Sequence, residues 1–144
     1  MESFPVTIRF PMHWGDMDAL GHANNVRFFR WFESARIAYF ERIALQRQPS
    51  SKAVGPILAH ASCDYLRPLH YPADLVVGAR VSKIGNTSVA MEYQVCTSNA
   101  LATPYAKGTG VVVLVDYTSG KKITVSDALR SAIDALERGG RAQP

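Results

Sequence analysis

The chain has 144 residues, 47% of them hydrophobic and 19% charged, a length that suits one domain able to bury roughly two-thirds of the surface its unfolded form exposes. Its 16 Lys and Arg against 12 Asp and Glu give a formal charge of +4, spread along the chain without a dense basic stripe interleaved with aromatics, which argues against nucleic acid and leaves a surface that attracts small anions. No apolar run approaches the ~20 residues that cross a bilayer and no basic start leads into an uninterrupted apolar core, so the expectation is a cytoplasmic protein without membrane insertion.

In chain order, Phe4, Val6, Ile8, Phe10, Met12 and Trp14 alternate with more polar neighbours such as Thr7, Arg9 and His13. That period of two marks a half-buried strand, and Pro11 assigns it to an edge or a bulge. From about Asn25 to Leu45 the apolar residues Val26, Phe28, Phe29, Trp31, Phe32, Ala35, Ile37, Ala38, Tyr39, Phe40, Ile43 and Ala44 take over. Such a helix is apolar over most of its circumference, with a limited polar face of Arg27, Arg30, Glu33, Arg36, Glu41 and Arg42; it is expected at the centre of the core, wrapped by other elements. A polar connection runs from Gln48 to Val54 and includes Pro49.

Strand-like segments follow over 56–67, 73–84, 87–98, 101–116 and 121–125, broken at Tyr71-Pro72, Gly85-Asn86, Ser98-Asn99 and Ser119-Gly120. Short turns between consecutive strands predict antiparallel neighbours. Gly108-Thr109-Gly110 reads as a bulge or bend within a strand. Ser126 or Asp127 begins a short C-terminal helix through Leu129, Ile133 and Leu136, ended by Gly139-Gly140. Cys63 and Cys96 lack a CxxC spacing and read as buried free thiols. The expected fold class is α+β: a long helix embraced by an antiparallel sheet of five to six strands, in one domain over 1–144.

Chemistry concentrates where the first strand gives way to the helix. The run His13-Trp14-Gly15-Asp16-Met17-Asp18-Ala19-Leu20-Gly21-His22-Ala23-Asn24-Asn25 holds two carboxylates, two imidazoles, two glycines and two side-chain amides. Gly permits a tight backbone and Asn caps helices, so these groups and the unpaired N–H groups of the helix start converge on one small space. By residue type, Asp18 either serves there as a reacting carboxylate or ties the loop through an Asx-turn. Asp16 reads as a loop-positioning residue and Asn24 as the helix cap. His13, Asp16, Asp18 and His22 match no metal-ligand spacing, so no metal is expected. No Gly-x-Ser-x-Gly elbow or phosphate-binding Gly-rich loop is present.

Gly15-Asp16-Met17-Asp18-Ala19-Leu20-Gly21-His22-Ala23-Asn24-Asn25, the helical Phe32-Glu33-Ser34-Ala35-Arg36 and the later Asp64-Tyr65-Leu66-Arg67-Pro68 resemble the hotdog-fold acyl-CoA thioesterases of the 4-hydroxybenzoyl-CoA thioesterase type over roughly residues 5–135. The resemblance implies a hotdog fold that hydrolyses an acyl-CoA to a carboxylic acid and coenzyme A without a cofactor. It makes Asp18 the catalytic carboxylate, as nucleophile or as general base, and makes a backbone N–H at or next to Asn25 the donor to the thioester oxygen. His22 reads either as a structural hydrogen-bonding group of the turn or as an acid, a base or an orienter of Asp18, while Asn24 caps the helix or contacts substrate. The resemblance also brings Lys83, Asn86, Thr87 and Ser88 to the pantetheine arm between subunits, and leaves Arg67 and His70 available to phosphate. It implies a homodimer with interface active sites, paired again into a homotetramer. The acyl group is expected to be medium or long, by closer likeness to the fatty-acyl and general acyl-CoA branch. A non-catalytic acyl-CoA sensor is the alternative function.

Overall fold

The computed structural model describes residues 1–45 and 54–140. Strands β1 (Val6–Pro11), β2 (Val54–Tyr65), β3 (Asp74–Ile84), β4 (Ser88–Thr97) and β5 (Ala106–Asp116) form one antiparallel sheet in the order β1-β3-β4-β5-β2. Two helices, α1 (Asn25–Arg42) and α2 (Asp127–Gly140), complete the hotdog fold. Of the polar connection expected over 48–54, only Val54 falls among the described residues. Among them, no helix is long and apolar enough to cross a membrane.

The alternation read in the first strand holds from Val6 to Met12, and Pro11 closes an edge strand where its missing N–H costs no ladder bond. It fails at Trp14, which begins a single 3₁₀ turn (Trp14–Asp16) and is 73% exposed. The strand expected over 101–116 begins only at Ala106, because 101–105 turns. The segment 121–125 is no strand; it contributes one bridge, Lys122 to Val115.

Sequence neighbours are not always sheet neighbours. β3, β4 and β5 follow one another as expected, but β2 crosses to the far side of the sheet and pairs with β5, not with β3. The reason is the helix. α1 packs across one face of the sheet and separates β1 from β2, so β2 takes the edge opposite β1.

α1 starts at the Asn24 cap, whose Oδ1 accepts the Val26 N–H at 3.2 Å. Its buried face is Phe28, Trp31, Phe32, Ala35, Arg36, Tyr39 and Phe40. The expected all-round wrapping is not found within one chain: Val26 and Ile37 are 61% and 50% exposed. The helix ends where Leu45 N–H reaches Phe40 C=O at 2.9 Å and Ala44 takes a positive φ of 53°, the 6→1 closure of a Schellman motif. Glu137 of α2 accepts from Tyr39 Oη at 2.8 Å and from Val81 N–H at 2.7 Å, joining α2 to α1 and β3. α2 itself begins with Ser126 Oγ accepting from Leu129 N–H at 3.2 Å.

Gly108 and Gly110 are not a bulge. Both keep register with β4 and β2, and the irregularities fall instead at Leu58/His60 and Val81/Lys83. The glycines are there because α1 and Tyr93 press on the sheet: a Cβ at Gly108 would lie 2.3 Å from Phe32 Cε2, and one at Gly110 would lie 3.1 Å from Tyr93 Oη. Phe32 in turn stacks on Tyr93, with centroids 5.0 Å apart and planes at 17°. Gly108→Ala is therefore expected to destabilise the fold by about 1–3 kcal/mol through overpacking, measured by urea unfolding; an unchanged midpoint and slope would show that Phe32 moves aside freely.

Candidate active site

The loop between the 3₁₀ turn and α1 closes on itself through backbone bonds. Asp18 N–H donates to His22 C=O at 2.8 Å, Gly21 N–H to Asp18 C=O at 3.1 Å, and Asn24 N–H to Asp16 C=O at 2.8 Å. Gly21 supplies the positive φ of 78° that the turn requires. The segment after β2 clamps the same loop: Ala23 N–H donates to Leu69 C=O at 2.7 Å. His70 Nδ1 lies 3.0 Å from Gly21 C=O, which as an acceptor requires the proton on Nδ1.

The two carboxylates separated by one residue have opposite environments. Asp16 is buried, accepts the His13 N–H on Oδ2 at 2.9 Å and pairs with Arg27 Nε at 3.3 Å. It positions the loop, as its residue type suggests. Asp18 is exposed at the mouth of a cleft, with Oδ1 accepting the N–H of Leu20 at 2.8 Å and that of His22 at 3.4 Å. Oδ2 is free of hydrogen bonds among the described residues. The Asx-turn and the reacting carboxylate are thus compatible, one oxygen for each.

That cleft has a volume of about 350 Å³ and brings together Asp18, His22, Asn25, Phe28, Tyr65 and Arg67. Asn25 is the first residue of α1, and its N–H has no acceptor within the helix. The positive end of the helix dipole gathers at the same point. Tyr65 Oη donates to Asn25 C=O at 3.0 Å, tying β2 to the helix start. Partial burial first, and the neighbouring Cys63 second, push the Tyr65 hydroxyl up to about 12, so it stays a donor near neutral pH. Burial likewise raises the Cys63 thiol, which makes it a poor nucleophile beside the site.

Several expected residues have other partners. Asn24 is the helix cap, and its side chain is occupied there. The His22 ring packs against His70, centroids 4.7 Å apart, and His22 reaches Asp18 through its backbone instead of its imidazole. Arg67 donates to the carbonyls of Thr103 at 2.5 Å and Pro104 at 3.3 Å and lies 4.0 Å over the Tyr105 ring. Lys83, Asn86, Thr87 and Ser88 belong to the β3–β4 hairpin and share no cavity with Asp18 within one chain. Sequence reasoning misses Tyr65 and the His70 clamp in these roles; their signal is the Asp64–Pro68 segment, whose tie to Asn25 spans 40 residues. Among the described residues, no group of three or more His, Cys, Asp or Glu side chains is arranged to hold a metal.

Residues 12–133 match the model of the thioesterase-like superfamily. The chain is 34% identical to a thioesterase from Thermus thermophilus solved with coenzyme A and zinc, with a TM-score of 0.80 over 100% of this chain and 99% of that one. It is 32% identical to the PA2801 protein of Pseudomonas aeruginosa, with a TM-score of 0.81 over 90% of this chain and 98% of that one. The uncharacterized protein YsmA of Bacillus subtilis strain 168 is 30% identical over 125 residues, 87% of this chain and 82% of that protein.

Because the cap sets where α1 starts, Asn24→Ala is expected to lower stability by about 1 kcal/mol, read by thermal or urea unfolding. An unchanged stability would mean that Val26 N–H finds water or another acceptor at no cost.

Proposed function

The chain belongs to the thioesterase-like superfamily, and from that membership we propose that it is an acyl-CoA thioesterase, releasing a carboxylic acid and coenzyme A, with Asp18 as its reacting carboxylate. The observation that carries this reading is the single cleft shared by the Asp18 carboxylate and the N-terminal end of α1 at Asn25. A thioester carbonyl seated between them has its oxygen toward the Asn25 N–H and its carbon toward Asp18. Negative charge that develops on the oxygen as the carbon is attacked is stabilised by the N–H and the helix dipole.

Two routes conserve atoms and protons. As a general base, Asp18 takes a proton from water, whose oxygen adds to the carbonyl carbon; collapse of the adduct breaks the C–S bond and the thiolate is reprotonated. As a nucleophile, Asp18 forms an anhydride with release of the thiol, and water then cleaves the anhydride. His22, at the cleft, is the candidate acid or base for the leaving thiol, and Arg67, on the cleft wall, and His70, behind its loop, are the candidates to meet the phosphates of coenzyme A.

The active unit is a homodimer. β2 is a long edge strand, with Ile57 and Leu58 46% and 43% exposed on its opposite faces, Leu58 beside the open face of α1. Pairing with a second copy covers both and removes an edge prone to uncontrolled association. A second copy also supplies what one chain lacks at the cleft: its Lys83, Asn86, Thr87 and Ser88 face the pantetheine arm.

Thiol release from a panel of acyl-CoAs is expected from the wild type and to fall about 100- to 10,000-fold in Asp18→Asn with the fold retained. Full turnover by folded Asp18→Asn would remove the carboxylate from the chemistry, and tight acyl-CoA binding without turnover by the wild type would favour a sensor. Ile57→Lys is expected to sediment as a monomer and to lose activity; an active monomer would contradict the dimeric site.

A further inference from the structure

A second cavity, of about 260 Å³, lies between α1 and β2, against the face assigned above to the homodimer. Phe29, Phe32, the ion-paired Arg30 and Glu33, and Arg36 form one wall, Leu58 and Ala61 the other, with Tyr93 and Thr109 completing the lining. The unexpected group in it is Arg36. From the sequence it sits on the polar face of the helix; in the fold it is 7% exposed.

A buried guanidinium needs a counter-charge, because taking a cation out of water is costly unless it is paired. Arg36 has none among the described residues. Its Nη1 donates to Tyr93 Oη at 3.3 Å, and its Cζ stands 6.0 Å from the centre of that ring. Among the described residues it makes no ion pair, and the segments 46–53 and 141–144 contain no Asp or Glu. Glu33 borders the same cavity but is bound to Arg30. The fork of donors on Arg36 thus lines an otherwise mostly apolar cavity without an anion to receive it.

The cavity also lies in line with the Asp18 cleft. Both follow the seam of α1 with β2: Asn25, Phe28 and Tyr65 at one end, Arg36, Leu58 and Ala61 at the other. The rise along α1 from Asn25 to Arg36 is about 16 Å, with Phe28 lining the first cavity and Phe29 and Phe32 the second. The Arg36 side chain leans toward the N-terminus of α1 and shortens that span, so an extended acyl chain that follows the seam from a thioester at Asp18 brings its far end toward the guanidinium.

We propose that Arg36 receives the carboxylate at the far end of the acyl group, so that the enzyme takes ω-carboxyacyl thioesters of medium length in preference to plain acyl thioesters. The proposal rests on the thioesterase reading for its substrate, but not for the anion site itself. Guanidinium and carboxylate match in a bidentate fork. A site built around a buried polar group discriminates strongly against an analogue that leaves that group unpaired.

The test compares kcat/KM for ω-carboxyacyl-CoAs and acyl-CoAs of equal chain length in wild type, Arg36→Met and Arg36→Lys, and separately titrates decanoate and decanol by calorimetry. The wild type is expected to prefer the ω-carboxyl substrate at least tenfold at the matching length, Arg36→Met to lose that preference, and Arg36→Lys to keep part of it. Decanoate should bind at least tenfold more weakly to Arg36→Met, with decanol unaffected. If Arg36→Met does not fold, Arg36→Lys carries the comparison, since it keeps the charge and loses the fork. Arg36-dependent decanoate binding without hydrolysis of any thioester would support the anion site and defeat the thioesterase reading. Acyl-CoA hydrolysis with equal rates on both substrate series, and decanoate binding unchanged by Arg36→Met, would overturn the proposal and leave the thioesterase standing. Dissociation of the dimer by Arg36→Met with the substrate ratio unchanged would also overturn it, making Arg36 an interface residue.

Discussion

The depth at which Phe32 sits in the sheet governs the rest of the molecule. Its ring lies over Gly108 where no Cβ fits, and against Tyr93 in a stack. Interiors are packed to crystal-like density, so a contact this close sets the distance between α1 and the strands with little slack. One turn before Phe32, Phe28 meets Tyr65 edge to face at 5.2 Å, beside the Asp18 cleft. One turn after it, Arg36 reaches the Tyr93 hydroxyl. Both cavities are therefore set by the same seating of one helix.

The loop before α1 depends on that seating as well. Asp16 is committed to structure, and this leaves Asp18 to face solvent with one oxygen anchored and one available. Clamps from Leu69 and His70 hold the loop against the segment that follows β2. Rigid placement of a carboxylate opposite a helix N-terminus is what electrostatic stabilisation of an acyl-transfer step asks for, since donors already in place need no reorganisation when charge develops.

The open edge of β2 and the open face of α1 are two sides of one feature. A helix with apolar residues nearly all round, such as Val26, Phe29 and Ile37 beyond its buried face, is not satisfied by a single sheet. Its pattern predicts a wrapped helix, and within one chain only one side of it is covered. The homodimer proposed along β2 reconciles the two, and would account for why the hairpin at Lys83–Ser88 stands apart from the cleft of its own chain.

By itself the sequence determined the types of the two helices and of the five strands that form, an edge or a bulge for the first strand, the Asn24 cap, the loop-positioning role of Asp16 and the family, because each is written in local periodicity, in capping chemistry or in a contiguous motif. It did not determine which strands are neighbours: β2 and β3 are adjacent in the chain and at a distance in the sheet. The bulge that its pattern allows at the glycines of β5 does not form, and Arg36, read as part of the polar face of the helix, is buried. Those two differences share one cause. Periodicity reports which side of an element is apolar, but not what that side meets, and the partners of Gly108, Tyr65 and Arg36 come from 40 or more residues away in the chain. Only the folded register brings them together, and with it the shape of the two cavities and the burial of a charge that a helical pattern would leave in water.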